Sequence, residues 1–149
     1  MTQNIKFEEG IFDVAIIGDG PAGLTAALTL VKQKLNVAIF GKKSSYSDEQ
    51  KPVSGEIGAH PLGIHSRDYR KYCLSLIFGD QDERQKVRYL PAAEDLVKMK
   101  NGEFAIRDEA PDEAPGKWWQ AKKVILATGV TEDPPQISGY GPLMMRKKM

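Results

Sequence analysis

One cysteine, two histidines and no long apolar run are the scarcities that bound this 149-residue sequence. Cys73 stands alone, so an internal disulfide, a Cys-x-x-Cys redox pair and a cysteine-rich metal site are excluded from these residues. His60 and His65 flank a Pro-Leu-Gly turn. Two histidines without a third ligand make a poor zinc site, and no metal is expected. No apolar stretch approaches the roughly 18 residues that a spanning helix needs, so no membrane partner is expected either. Charge of one sign is also missing. Lys and Arg total 21 against 20 Asp and Glu, a net charge of +1 with the signs interspersed, which offers nucleic acid or an anionic membrane little to hold. The first residues carry Lys6, Glu8 and Glu9 where a signal peptide would need an apolar stretch, so a cytoplasmic location is expected.

What is present reads as one α/β domain. Residues 1–10 are polar and end in Gly10, an expected N-terminal arm. Ile11-Phe12-Asp13-Val14-Ala15-Ile16-Ile17 then runs apolar and β-branched, as a strand buried on both faces does. Pro21 opens a helix on which Gly23, Ala26, Ala27, Leu30 and Val31 recur at helical spacing. Asn36-Val37-Ala38-Ile39-Phe40 is a second buried strand, completing a βαβ unit and implying a parallel sheet. Residues 41–66 have little periodicity and read as a long loop. From Ser66 a helix is expected to bury Tyr69, Tyr72, Cys73, Leu76 and Ile77. Asp95–Lys100 and Glu103–Arg107 around Asn101-Gly102 predict a hairpin with a type I′ turn. A looser turn at Pro111, Pro115 and Gly116 precedes a strand beginning at Trp118-Trp119, of which one tryptophan can be core. Val124-Ile125-Leu126-Ala127 is a short buried strand that stops at Thr128-Gly129. The expected fold is Rossmann-like, a central parallel sheet with a small antiparallel hairpin sheet.

Gly18-Asp19-Gly20-Pro21-Ala22-Gly23 is a Gly-x-Gly-x-x-Gly turn placed directly after a strand and opening a helix. Gly18 permits the tight turn, Gly20 lets a pyrophosphate approach the backbone, and Gly23 lets helix and strand pack closely. The helix N-terminus, from Pro21 and Ala22 onward, offers uncommitted N–H groups and a partial positive charge to phosphates. A carboxylate is expected at the end of the second strand to hold a ribose, but the sequence there is Phe40-Gly41-Lys42-Lys43. Two lysines at that point suit a 2′-phosphate or are simply solvated. Asp48, Glu49 and Glu56 read as solvated loop residues, and Cys73 as a buried packing thiol.

The glycine turn with its strand, taken with Val124-Ile125-Leu126-Ala127-Thr128-Gly129, resembles the thioredoxin reductase-like flavoproteins of the two-dinucleotide-binding superfamily, and is similar to their bacterial and fungal branch with its dithiol oxidases. Leu62-Gly63, Asn101-Gly102-Glu103-Phe104 and Pro135-Gln136-Ile137-Ser138-Gly139-Tyr140 support the match. The resemblance covers residues 11–140 and implies FAD at Gly18, Gly20, Pro21, Ala22 and Gly23, with Gly41 and Lys42 at its ribose end and Ala127, Thr128 and Gly129 beside the flavin nucleotide. Some relatives carry an acidic residue shortly after a glycine at the end of this strand, where Lys42 and Lys43 stand here.

The resemblance further implies a partial FAD-binding domain over 11–140 and a basic tail over 141–149, without the NADPH domain and cysteine pair of a complete family member. No catalytic residue is assigned. Two functional readings stay open: an FAD-dependent oxidoreductase half-domain, in whose family NADPH reduces flavin and flavin reduces a thiol, disulfide or small acceptor, and a non-catalytic nucleotide-binding or interaction module of that fold. Self-association through an open sheet edge is expected in either case.

Overall fold

The computed structural model describes residues 4–42, 66–79, 87–110 and 114–129. Lys43, Asp48, Glu49, Glu56, His60, Leu62-Gly63, His65, Pro111, the Pro135–Tyr140 segment and the tail 141–149 lie outside the described residues.

The first apolar run forms β1 (Phe7–Ile17), which starts four residues before the expected boundary. The expected arm is therefore strand from Phe7 onward, because Phe7 pairs with Trp118 of β6 (Trp118–Leu126). The register between these strands shifts between Phe7 and Ile11, and Gly10 sits there with φ +94. Four positions from Phe7 to Ile11 stand against two from Trp118 to Gln120, and a glycine bulge absorbs the two extra residues without ending the strand.

Pro21 then starts α1 (Pro21–Lys32). Its end is closed by Lys34 at φ 60, with Lys34 N–H donating to the Val31 carbonyl at 2.9 Å and Leu35 N–H to the Leu30 carbonyl at 3.4 Å, so a lysine serves where glycine is usual. The chain returns as β2 (Val37–Phe40), parallel to β1. Next come α2 (Ser66–Phe78) and β3 (Val87–Leu90), parallel to β2. The antiparallel pair β4 (Ala93–Lys98) and β5 (Phe104–Asp108) leads into β6. One mixed six-stranded sheet results, in the order β3-β2-β1-β6-β5-β4, a Rossmann-like α/β arrangement.

Strand alternation divides the apolar residues between two faces. Val14, Ile16, Val37 and Ile39 meet Leu24 and Ala27 of α1 and Cys73 and Ile77 of α2. Ala15, Ala38, Phe40 and Leu90 meet Phe12, Ile106, Trp119 and Ala121 on the other side. Burial on both faces explains why β1 and β2 read as unbroken apolar runs. Of the two tryptophans, Trp119 is core and Trp118 is half-buried. Trp119 Nε1–H donates to the carboxylate of buried Asp108 at 2.9 Å, and Lys117 N–H donates to its other oxygen at 2.7 Å. The buried acid is thus satisfied by two donors.

Two local expectations are corrected. The hairpin turn is not type I′, since Gly102 alone in it has positive φ, at +86. Gly102 N–H donates to the Met99 carbonyl at 3.0 Å and Met99 N–H to the Glu103 carbonyl at 2.8 Å, the pattern of a type I turn closed by a left-handed glycine. On α2 the buried stripe is narrower than expected: Cys73 and Ile77 are enclosed, whereas Tyr72 and Leu76 are 50% and 42% exposed. Among the described residues, no helix is long and apolar enough to cross a membrane.

Cys73 is fully buried, and burial pushes its thiol above the ordinary value. We expect it to react with thiol reagents only after unfolding. Cys73→Ser should cost about 1–3 kcal/mol of stability, as a buried hydroxyl does, and leave nucleotide affinity unchanged. Rapid labelling of the native chain, or lost affinity in a folded variant, contradicts this.

Candidate functional site

Three chain segments converge where the parallel strands end. Gly18 N–H donates to the Phe40 carbonyl at 2.9 Å, Gly41 N–H to the Leu90 carbonyl at 3.1 Å, and Ala127 N–H to the Ile17 carbonyl at 2.8 Å. These bonds carry the sheet one residue beyond β1, β2 and β6 and fix the loops that follow. Together the loops enclose a cleft of about 470 Å³, within the range of small-molecule and cofactor sites. Its position outside the carboxyl ends of parallel strands is where doubly wound sheets place ligands.

Nine of the ten residues expected at a cofactor site line this cleft: Gly18, Gly20, Pro21, Ala22, Gly41, Lys42, Ala127, Thr128 and Gly129. Gly23 does not line it, and lies behind the loop. A Cβ at Gly23 would stand 2.1 Å from the Gly18 carbonyl oxygen and 3.3 Å from Ile16 Cγ2, so its glycine serves packing between helix and turn. Asp19, Ala92 and Ala93 also line the cleft, beyond the residues expected from the sequence.

The cleft's floor is the start of α1. Gly20 is the N-cap residue with extended backbone, no side-chain cap occupies it, and no acidic residue lies in the first turn. Leu24 N–H is the donor that reaches back to the Gly20 carbonyl, at 2.9 Å. Helix geometry leaves the Ala22 and Gly23 N–H groups without an intrahelical acceptor. That donor set and the positive helix end fit a pyrophosphate.

Asp19 runs against this pattern, being a carboxylate inside the phosphate-type loop. It is buried at 6% exposure. Arg70 of α2 answers it: Nη2 lies 3.0 Å from Asp19 Oδ2, and Nε donates to the Asp19 carbonyl at 3.2 Å. Tyr89 of β3 donates its hydroxyl to the same carboxylate oxygen and accepts from Arg70 Nη2 at 2.8 Å. Burial, reinforced by the hydrogen bond to Asp19, pushes the Tyr89 hydroxyl well above its ordinary value, so it stays protonated. One signal for this cluster was available in the sequence. Arg70 stands at i, i+3, i+7 with Cys73 and Ile77, and a cation on the buried stripe of a helix calls for a counterion.

No acid ends β2, and the structure shows what fills its place. A Cβ at Gly41 would sit 2.2 Å from Asp19 Cγ, so the Asp19 side chain occupies that space. Lys42 faces Glu109 at 3.8 Å, with both side chains about half exposed. Among the described residues, no group of three histidine, cysteine or carboxylate side chains is placed to hold a metal ion.

The sequence pattern of the pyridine nucleotide-disulphide oxidoreductases matches residues 12–148. A thioredoxin reductase of Aspergillus oryzae, aclD, is 35% identical over 138 residues, which span 87% of this chain and 38% of that protein. A thioredoxin reductase of Leptosphaeria maculans, sirT, is 32% identical over 134 residues, spanning 87% and 37%. Among solved structures, an oxidoreductase from Agrobacterium tumefaciens superposes with a TM-score of 0.61 at 26% identity, covering 87% of this chain and 40% of that one. The chain thus spans about two-fifths of the length of the relatives it matches.

Proposed function

The chain is a thioredoxin reductase-like member of the pyridine nucleotide-disulphide oxidoreductase family, and on that footing we propose that its cleft binds FAD and that it serves as the FAD-binding part of an oxidoreductase. The observation that carries this is the convergence of an uncapped helix N-terminus with three strand ends in one cleft. On this reading the Gly20 and Ala22 N–H groups, both on residues that line the cleft, hold the pyrophosphate. Gly41 and Lys42 flank the adenosine ribose, and Ala127, Thr128 and Gly129 pass along the nucleotide toward the flavin. FAD, when bound, supplies the redox chemistry, taking a hydride from a nicotinamide such as NADPH and passing electrons to a thiol, disulfide or small acceptor. This chain's own residues bind and orient.

The division into an FAD-binding region over 11–140 and a basic tail over 141–149 belongs to the same proposal, as does a cytoplasmic setting. So does self-association. Pairing of β6 with β5 ends at Ala121, so within the described residues Lys122–Leu126 is bonded on the β1 side alone. Leu126 there is 68% exposed, the kind of edge that recruits another strand.

The test is a spectrum of the purified chain after incubation with FAD and removal of free ligand. Retained absorbance at about 450 nm, the band of a bound oxidised flavin, is expected. A colourless chain that still binds ADP would favour the non-catalytic nucleotide-binding module, and one that binds neither would overturn the assignment of the cleft.

A further inference from the structure

Resting on the reading of the cleft as a dinucleotide site, we propose that Arg70 is the positioning residue of the phosphate loop, neutralising Asp19 and turning the Gly20 N–H toward the ligand. Asp19 lies between Gly18 and Gly20, and its side chain is 9% exposed. An unpaired carboxylate in that place would repel a diphosphate across a few ångströms of poorly solvated protein. Among the described residues, Arg70 is the cation paired with it, at 3.0 Å. The Tyr89 hydroxyl, donating to the same oxygen, adds a donor but no charge.

The second half of the argument concerns the backbone. Arg70 Nε donates to the Asp19 carbonyl oxygen at 3.2 Å, so the guanidinium grips the carbonyl and the carboxylate of one residue. The peptide joining Asp19 to Gly20 is planar and trans, so its N–H points opposite to its C=O. With the carbonyl held on the α2 side, the Gly20 N–H is turned away from Arg70, toward the cleft that Gly20 lines. A planar fork can make both contacts at once, whereas an ammonium acts as a point charge. Gly41 completes the arrangement, because any side chain there would collide with Asp19. α2, remote from the glycine motif in sequence, thereby sets both the charge and the donor geometry of the loop.

The 149-residue chain is titrated calorimetrically with ADP and, separately, with adenosine. Arg70→Gln should weaken ADP by about tenfold or more, the scale of one uncompensated charge at this range, and leave adenosine within about twofold. Arg70→Lys, which keeps the charge and loses the carbonyl grip, should fall between. The double variant Asp19→Asn with Arg70→Gln buries no unpaired charge and should recover at least half of the logarithmic loss in ADP affinity. If Arg70→Gln does not fold, the double variant carries the test, and a folded double variant that fails to bind ADP overturns the proposal. Equal losses for ADP and adenosine overturn it too, since a general structural role would weaken both. Absence of ADP binding by the unaltered chain would overturn the dinucleotide reading together with the role of Arg70; loss of discrimination in the variants alone would overturn only the latter.

Discussion

Gly20→Val should abolish measurable FAD binding, a loss of more than about 100-fold or roughly 2.7 kcal/mol, while the chain stays folded. The backbone at Gly20 is ordinary, with φ −77 and ψ −174, so a side chain meets no conformational objection there. The N-cap site prefers glycine to valine by about 1 kcal/mol or less, which a domain of this size tolerates. The ligand side is different. Gly20 lines the cleft at the point where α1 presents its N–H groups, and a branched side chain would hold the pyrophosphate beyond hydrogen-bond range. Fluorescence titration with FAD, alongside circular dichroism, separates the two effects. Unchanged affinity would remove the glycine loop from the site.

The parts of the molecule legible in the sequence are those where one local pattern has one physical solution. Val14–Ile17 and Val37–Phe40 are apolar at every position, and their burial on both faces left a parallel sheet as the outcome. Gly-x-Gly-x-x-Gly after such a strand likewise admits few geometries, and its residues are where the pattern put them. The hairpin at Asn101-Gly102 was visible, but its turn type was not. Asn101 adopts negative φ, because a type I turn needs only Gly102 in the left-handed region.

The least legible element was the one that governs the charge of the loop. Asp19 meets a residue 51 positions away and another 70 positions away. Helical and strand periods, at 3.6 and 2 residues, carry no information at such separations. Tyr72 and Leu76 show the same limit. They share a helical stripe with Cys73 and Ile77, yet α2 lies on α1 and the sheet along a narrower line.

Gly18→Ala should be the more damaging substitution, although it adds a single methyl group. A Cβ at residue 18 would stand 2.1 Å from the Ala127 carbonyl oxygen and 2.6 Å from its carbonyl carbon. Both are backbone atoms, so no rotamer change relieves the contact. The Ala127 backbone is also tied to β1, its N–H donating to the Ile17 carbonyl at 2.8 Å. Gly18 has φ +117, a region that costs an alanine about 1–3 kcal/mol before any collision is counted. From the other side, the Gly18 carbonyl is pressed by α1, where Gly23 leaves no room for a side chain. With neither neighbour able to retreat, the strand ends must separate. We expect stability to fall by more than about 3 kcal/mol, beyond the range of ordinary substitutions and diagnostic of a named defect. The urea midpoint reports it, and binding is lost with the fold. A Gly18→Ala chain with an unaltered midpoint would show that the ends of β1 and β6 are not in this contact.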